Sequence, residues 1–333
     1  MADWREIFEN TSRLLNKEIL KFLTGGMVRA TRRSTELVRF SVTVGASLAQ
    51  MTTFRIGGVA GLFVEPLDQK SLESFIQFLR EIGSPWRLLG GGSNLLVANR
   101  FFPEPIISLR RCASFIEVMS ETDDVVVIRV GGGVKTRTLL NYCVRRGLSG
   151  CEFLAGIPAT LGGAVFMNAG TSDGTMQDIV DSVTVIDRDK GMLKLRQGQG
   201  ADFHPLYRSS GIANGSVVYD ARLKLRKNSP EKIRGKICSI MKRRLATQPI
   251  GMPSAGCVFK NPSSDLPAGL LIDHCGLKGF RIGGAEISRK HANWIINTGG
   301  ASYNDVVTLM ALIKDRVYEQ FTVKLEEEVQ CWD

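Results

Sequence analysis

Residues 89–97 read Leu89-Gly-Gly-Gly-Ser-Asn-Leu-Leu-Val97, three glycines in a row followed by Ser93, Asn94 and an apolar run. Two other stretches share this character, Arg55-Ile-Gly-Gly58 and Gly156-Ile-Pro-Ala-Thr-Leu-Gly-Gly-Ala164. Glycine has no Cβ, so such loops let backbone N–H groups approach phosphate oxygens closely. None of the three carries the G-x-G-x-x-G pattern between a strand and a helix, and none reads G-x-x-x-x-G-K-[ST]. A Rossmann dinucleotide site and a P-loop are therefore both unsupported. Each loop alone reads as a tight turn. Three within about 110 residues point to a large phosphate-bearing cofactor.

Around these loops the chain alternates helical and strand patterns. Leu72, Phe75, Ile76, Leu79 and Ile82 predict an amphipathic helix stopped by Gly83. Val125 to Val130 predicts a strand, ended by Gly131-Gly132-Gly133. Leu139, Leu140, Cys143 and Val144 predict a helix closed by Gly147. Val183–Ile186 and Ala221–Leu225 read as strands. Ser229-Pro230-Glu231 is a helix start with proline at the first position. Its expected apolar stripe is Ile233, Ile237, Ile240, Met241 and Leu245, with Lys236, Lys242, Arg243 and Arg244 as a solvated basic cluster. Ser302 to Asp305 forms a capping-box variant ahead of Val306, Met310, Ile313 and Val317. The fold class expected is α+β or mixed α/β. Upstream, Trp4, Ile7, Phe8, Leu14, Leu15, Ile19, Phe22 and Leu23 predict an amphipathic helix packed on the body, joined through Gly25-Gly26-Met27.

Composition narrows the function classes. At 333 residues, two or three lobes are expected rather than one core. With 44% hydrophobic and 23% charged residues the chain is an ordinary globular protein. No apolar run is long enough to span a bilayer. The N-terminus lacks the apolar region and cleavage site of a secretory signal. Seven cysteines without a C-x-x-C pair indicate neither a disulfide scaffold nor a zinc ribbon, and three histidines make a histidine-rich metal site improbable, so no metal is expected. A reducing, cytoplasmic location is expected. The net charge of +10 suits nucleic acid or small phosphate-bearing ligands equally.

The most irregular segment is Gln248-Pro-Ile-Gly-Met-Pro-Ser-Ala-Gly-Cys-Val-Phe-Lys-Asn-Pro262, which fixes Cys257, Lys260 and Asn261 on a constrained loop. A lone cysteine is usually a small buried hydrophobe. Its companions could be Tyr207-Arg208-Ser-Ser210 and Leu325-Glu-Glu-Glu-Val329. Arginine grips a carboxylate or phosphate with two N–H groups, a thiol can exchange a proton, and a nearby carboxylate can set that balance. Spacing alone does not bring the three together.

Seven segments in order closely resemble the UDP-N-acetylenolpyruvoylglucosamine reductase family. They are Thr52–Gly58, Leu89–Val97, Gly156–Gly170, Tyr207–Ser210, Ala255–Pro262, His291-Ala-Asn293 and Leu325–Val329. The resemblance covers about residues 47 to 331 and leaves 1–46 as an unexplained helical extension. It implies a two-lobed FAD-binding domain of the vanillyl-alcohol oxidase type over 47–227, and an α+β substrate-binding domain over 228–333. The implied reaction uses NADPH and bound FAD to reduce an enolpyruvyl UDP-sugar in peptidoglycan synthesis, a step tied to cell-wall biogenesis, cell shape and division. Arg208, Cys257 and Glu328 would be catalytic, with Cys257 the proton donor.

FAD contacts would come from Arg55, Gly57, Gly90, Gly91, Gly92, Ser93, Asn94, Leu95, Gly156, Ile157, Pro158, Gly162, Gly163, Asn168, Ala169 and Gly170. Tyr207, Lys260, Asn261, His291 and Asn293 would hold the substrate. A monomer or weak oligomer is expected, with no nucleic-acid partner. The chain departs from the family's Ala-Tyr-Gly-Gly-Glu at Thr171-Ser-Asp-Gly-Thr175, and His204-Pro-Leu206 lengthens the approach to Arg208. Cys257 follows Arg208 by only 49 positions, which resembles the subtype without an extra tyrosine loop. Two other readings stay open. One is a different flavin oxidoreductase of the same fold; the other is a nucleic-acid binder using the basic patch, which lacks interleaved aromatic residues.

Overall fold

The computed structural model describes residues 17–24, 28–31, 34–187, 193–197, 207–213, 215–263 and 265–333. The first part of the predicted N-terminal helix, the Gly25–Met27 junction and His204–Leu206 lie outside them. Three lobes surround one cleft. In the first, the sheet order is Phe40–Ser47, Val59–Pro66, Ile106–Ile107 and Arg87–Leu88, with Phe101–Phe102 also on Val59–Pro66. The first pair is antiparallel and the remaining pairs are parallel. Val59–Pro66 is buried along nearly its whole length, as a strand covered on both faces must be. The strand Phe40–Ser47 runs across the expected boundary at residue 46/47, so residues 40–46 are part of this sheet.

The helix Gln69–Glu81 covers that sheet with Leu72, Phe75, Ile76 and Leu79. Asp68 caps it by accepting from Ser71 N–H at 2.8 Å, and Gly83 turns the chain away at φ 65°. The helix Lys17–Thr24 lies on the same face. Its Phe22 ring stacks on Phe78 at 4.3 Å, which accounts for the apolar stripe in this part of the N-terminal segment.

The second lobe is a six-stranded antiparallel sheet ordered Leu193–Gln197, Val180–Ile186, Val217–Lys227, Val125–Gly131 and Ile116–Glu121, with Leu148–Ser149 also on Val217–Lys227. The helices Thr136–Arg146 and Leu161–Phe166 pack on it. The helix Pro230–Thr247 joins this core through Ile240, with Ile237 and Met241 partly buried alongside. Leu245, expected on the stripe, is exposed, and Arg244 is buried in its place. Arg244 therefore does not belong to a solvated basic face.

The third lobe pairs Ser254–Cys257, Trp294–Asn297, Ala285–Ile287 and Arg281–Ile282 in an antiparallel sheet. The helix Tyr303–Phe321 closes it with Val306, Leu309, Met310, Ile313 and Val317, after the Ser302/Asp305 capping box. The lobes are tied together. Gln330–Trp332 pairs in parallel with Leu95–Val97 of the first lobe, and Phe54 and Ile56 sit in the third lobe's core. Among the described residues no helix is long and apolar enough to cross a membrane.

Candidate active site

A cavity of about 1270 Å³ runs between the lobes. That exceeds the roughly 300–1,000 Å³ of ordinary small-molecule pockets, so it can hold more than one ligand moiety. Its floor is a glycine seam made where two of the quoted loops meet. A Cβ on Gly90 would stand 2.8 Å from Thr160 Oγ1, and one on Gly91 would stand 2.8 Å from the Pro158 carbonyl. Gly92 adopts φ 63°, where a Cβ would lie 2.2 Å from the Met51 carbonyl. Glycine is thus required both by conformation and by approach. Gly132 and Gly133 extend the seam. Above it, the buried Nε of Arg110 has no hydrogen-bond partner and belongs to a residue of the cavity wall. A bare backbone floor beside an unpaired guanidinium nitrogen fits a large cofactor with a diphosphate.

Of the sixteen residues expected at the cofactor, Gly90, Gly91, Gly92, Ser93, Asn94, Leu95, Gly156, Ile157, Pro158, Gly162, Gly163, Ala169 and Gly170 line the cavity. Arg55, Gly57 and Asn168 do not. Arg55 is an exposed residue at φ 56° in a turn whose neighbours join lobes: Thr53 Oγ1 donates to Ser254 O at 2.7 Å, and Asn297 Nδ2 donates to Phe54 O at 3.1 Å. Gly57 packs against the backbone of Leu48 and Ala49. Asn168 is buried, and its Oδ1 accepts from Gln177 N–H at 3.0 Å. All three sit in the scaffold behind the cavity wall, and the Asn168 side chain faces backbone.

One end of the cavity holds Arg208, Cys257 and Glu328. Backbone pairing brings the last two together, because Glu328 N–H donates to Val258 O at 2.8 Å. Asn94 Nδ2 also donates to Glu328 O at 3.0 Å, so the first glycine loop braces the acid. Arg208 reaches in from φ 58°, and its Nη1 donates to Gly170 O at 3.0 Å. Its Nε lies 2.8 Å from Glu328 Oε1, an ion pair in which the Nε–H is not aligned on the carboxylate oxygen.

The electrostatics follow from burial. Burial lifts the Glu328 carboxyl above its ordinary value of 4.5, while Arg208 works against the rise. For Arg208 burial opposes the charge, but Glu328, Tyr207 and Cys257 more than compensate, so the cation is held firmly. Cys257 is half-buried as a residue, yet its thiol is enclosed by protein; burial and the Glu328 carboxylate push it up to about 12. The site thus keeps a neutral thiol, a guanidinium and a carboxyl of raised basicity in one enclosure.

The residues expected at the substrate stand one contact back from the wall. Tyr207 is exposed, with its ring 5.1 Å from the Arg208 guanidinium and its hydroxyl 3.5 Å from Asn261 N. Lys260 Nζ is 3.4 Å from Glu326 Oε2, and Asn261 Oδ1 accepts from Ala268 N–H at 3.1 Å. His291 Nδ1 accepts from Asn293 N–H at 3.3 Å. Asn293 clamps the strand after Cys257: its Oδ1 accepts from Phe259 N–H at 3.0 Å and its Nδ2 donates to Phe259 O at 2.8 Å. Asn293→Ala strands both backbone groups in a buried setting. It is expected to cost about 1–3 kcal/mol or more of stability, read as a lower denaturation midpoint at constant slope.

Several wall residues were not singled out from sequence. Arg244 Nη1 donates to Ala155 O at 2.5 Å and its Nε to Gln248 Oε1 at 2.9 Å. It falls four residues after Ile240 and so on the buried stripe, a periodicity signal that could have found it. Trp294 lines the cavity as the cross-strand partner of Cys257, which only the register discloses. The unusual segment Thr171–Thr175 forms a hairpin in the wall, where Asp173 pairs with Arg243.

Comparison with known proteins agrees with this geometry. A family model described as "UDP-N-acetylenolpyruvoylglucosamine reductase, C-terminal domain" matches residues 248–332, and one described as "FAD binding domain" matches residues 60–196. The UDP-N-acetylenolpyruvoylglucosamine reductase of Syntrophobacter fumaroxidans is 42% identical, covering 85% of this chain and 81% of that protein. The same enzyme of Syntrophotalea carbinolica is 38% identical over 89% of this chain and 95% of its own. The crystal structure of the Thermus caldophilus reductase superposes with a TM-score of 0.71 at 34% identity, covering 89% of this chain and all of that one. With relatives this similar along most of their length, the chain belongs to the UDP-N-acetylenolpyruvoylglucosamine reductase family.

Proposed function

We propose that this chain reduces the enolpyruvyl group of UDP-N-acetylglucosamine enolpyruvate to the lactyl ether of UDP-N-acetylmuramate. The reaction serves peptidoglycan synthesis in the cytoplasm, with a monomer or weak oligomer as the working form. The observation that carries the reading is the meeting of Arg208, Glu328 and Cys257 at one end of a glycine-floored cavity. FAD, once bound and reduced by NADPH, would supply the hydride that C3 of the enolpyruvyl double bond needs. Arg208 holds the substrate carboxylate, into which the developing negative charge is delocalised. The guanidinium is fixed by Gly170 O and keeps its charge, so it is preorganised for that anion. Glu328, with its carboxyl raised by burial, shares a proton with the same enolate-like oxygens. Cys257 gives its proton to C2, completing addition of two hydrogens across the double bond. The glycine seam and Arg110 would hold the cofactor's diphosphate; Tyr207, Lys260 and Asn261 would support the sugar side from behind Arg208 and Glu328.

The test separates two half-reactions. Under anaerobic conditions, NADPH is expected to bleach the flavin absorption of the yellow protein. The enolpyruvyl UDP-sugar is expected to restore it, with one product formed per flavin. A protein that is bleached but not reoxidised by this sugar would be a flavin reductase acting on something else. A colourless protein that binds DNA with a steep salt dependence would favour the nucleic-acid reading.

A further inference from the structure

The proton donor assigned above leaves a charge behind, and the structure contains an unused group placed to receive it. Trp294 and Cys257 are direct partners across the antiparallel strands Ser254–Cys257 and Trp294–Asn297. Trp294 is more than nine-tenths buried; its indole nitrogen makes no hydrogen bond of good geometry in the resting protein, yet it lies close enough to the Cys257 thiol to favour its ionised form. The ring is held from behind by its own backbone, with Trp294 N–H donating to His291 O at 3.0 Å and Ser288 N–H donating to Trp294 O at 2.8 Å. His291 packs at its edge, 6.3 Å between ring centroids. Both Trp294 and Cys257 line the cavity. A buried unpaired donor is costly in a folded protein and is ordinarily satisfied. Here the neutral thiol is a weak acceptor, whereas a thiolate in the same place would be a strong one.

We propose that the Trp294 indole N–H is a further catalytic group, the donor that takes up the charge on Cys257 Sγ as the thiol gives its proton to the substrate. The proposal rests on the proton-donor reading of Cys257. The thiol's S–H bond breaks, its proton goes to C2, and the electron pair stays on sulfur facing the indole. The donor makes no full hydrogen bond to the neutral thiol but favours the thiolate, so its grip strengthens as the proton leaves, which is the condition for lowering a barrier rather than tightening a complex. The charged groups facing the sulfur come from three other segments. They are Glu328 from the C-terminal segment, which disfavours the thiolate, and Arg208 and Arg244, which favour it. Glu328 and Arg208 are themselves paired at 2.8 Å and Arg244 is bonded to Ala155 O and Gln248, so the indole is the neutral donor left over for sulfur.

Trp294→Phe keeps a ring and removes the donor. In the holoenzyme it is expected to leave bleaching by NADPH within about twofold and to slow reoxidation by the enolpyruvyl sugar about 10–100-fold, the size of a hydrogen bond to a charged group. In the Cys257→Ala background the same change is expected to have no further effect. A separate readout needs no substrate: alkylation of Cys257 by iodoacetamide at pH 9, followed by mass spectrometry of its peptide. It is expected to slow about tenfold or more in Trp294→Phe, because less thiolate is present. Should Trp294→Phe fail to fold, 3-benzothienylalanine at position 294 replaces the N–H by sulfur at nearly constant shape and takes its place in all three measurements. Unchanged alkylation, or an equal loss in the Cys257→Ala background, overturns the proposal. A normal alkylation effect in a protein that does not reduce the enolpyruvyl sugar keeps the Trp294–Cys257 pair and removes the reaction assigned to it.

Discussion

Cys257→Ala is expected to leave flavin bleaching by NADPH within about twofold and to slow reoxidation by the enolpyruvyl sugar by about 10²–10⁴, the usual contribution of a positioned acid. The asymmetry is the informative part, since the thiol touches only the second half of the cycle. Cys257→Ser retains a donor in the same enclosure and is expected to recover much of the rate. The pH dependence adds a sign. Burial and Glu328 raise the thiol to about 12, so its proton is present throughout the neutral range and is lost only far into alkali. Between pH 7 and 10 the reoxidation rate should therefore show no falling limb from Cys257. A limb near the ordinary thiol value of about 8.5 that vanishes in Cys257→Ser would show the enclosure to be more open than the geometry implies. Equal loss in both half-reactions would remove the proton-donor assignment.

How far these groups could be read from sequence depended on what kind of information placed them. Local rules placed the helices well. Ser229-Pro230, Gly147 and the Ser302/Asp305 box act within one turn of the residues they stop or start, and each is found at its expected terminus. The glycine seam was partly visible, because Gly90 to Gly92 and Gly156 to Gly163 stand out by composition. Their packing on one another was not, since that contact spans about 70 residues. Polar residues were the hardest to place. Arg55 and Asn168 lie in motifs that resemble cofactor contacts, and the structure places them off the cavity wall, one in a turn between lobes and the other accepting from Gln177 N–H. Asn293 and Asn261 likewise face main-chain groups that a linear sequence cannot show. Trp294 escaped notice because its meaning is its register against Cys257 across an irregular pairing. What sequence alone could not supply was long-range pairing, and the end of the cavity that holds Arg208, Cys257 and Glu328 is built from it.

Arg208 carries the other large effect. Arg208→Lys keeps one positive charge but loses the planar fork that bonds Gly170 O while facing Glu328. It is expected to slow reoxidation by about 10²–10³, with a raised KM for the enolpyruvyl sugar and little change in bleaching by NADPH. Arg208→Met removes the charge as well, and the pH profile then distinguishes two roles. Arg208 is the cation that holds the Glu328 carboxyl down against burial, so its loss lets that carboxyl rise further. The limb of the reoxidation profile that disappears in Glu328→Gln should move to higher pH in Arg208→Met and stay nearly in place in Arg208→Lys. The two residues touch, so their losses should not add: Arg208→Met in a Glu328→Gln background is expected to cost less than in the wild type. Strict additivity, together with an unmoved limb, would mean that Arg208 grips the substrate alone and that the pairing at 2.8 Å plays no part in the chemistry.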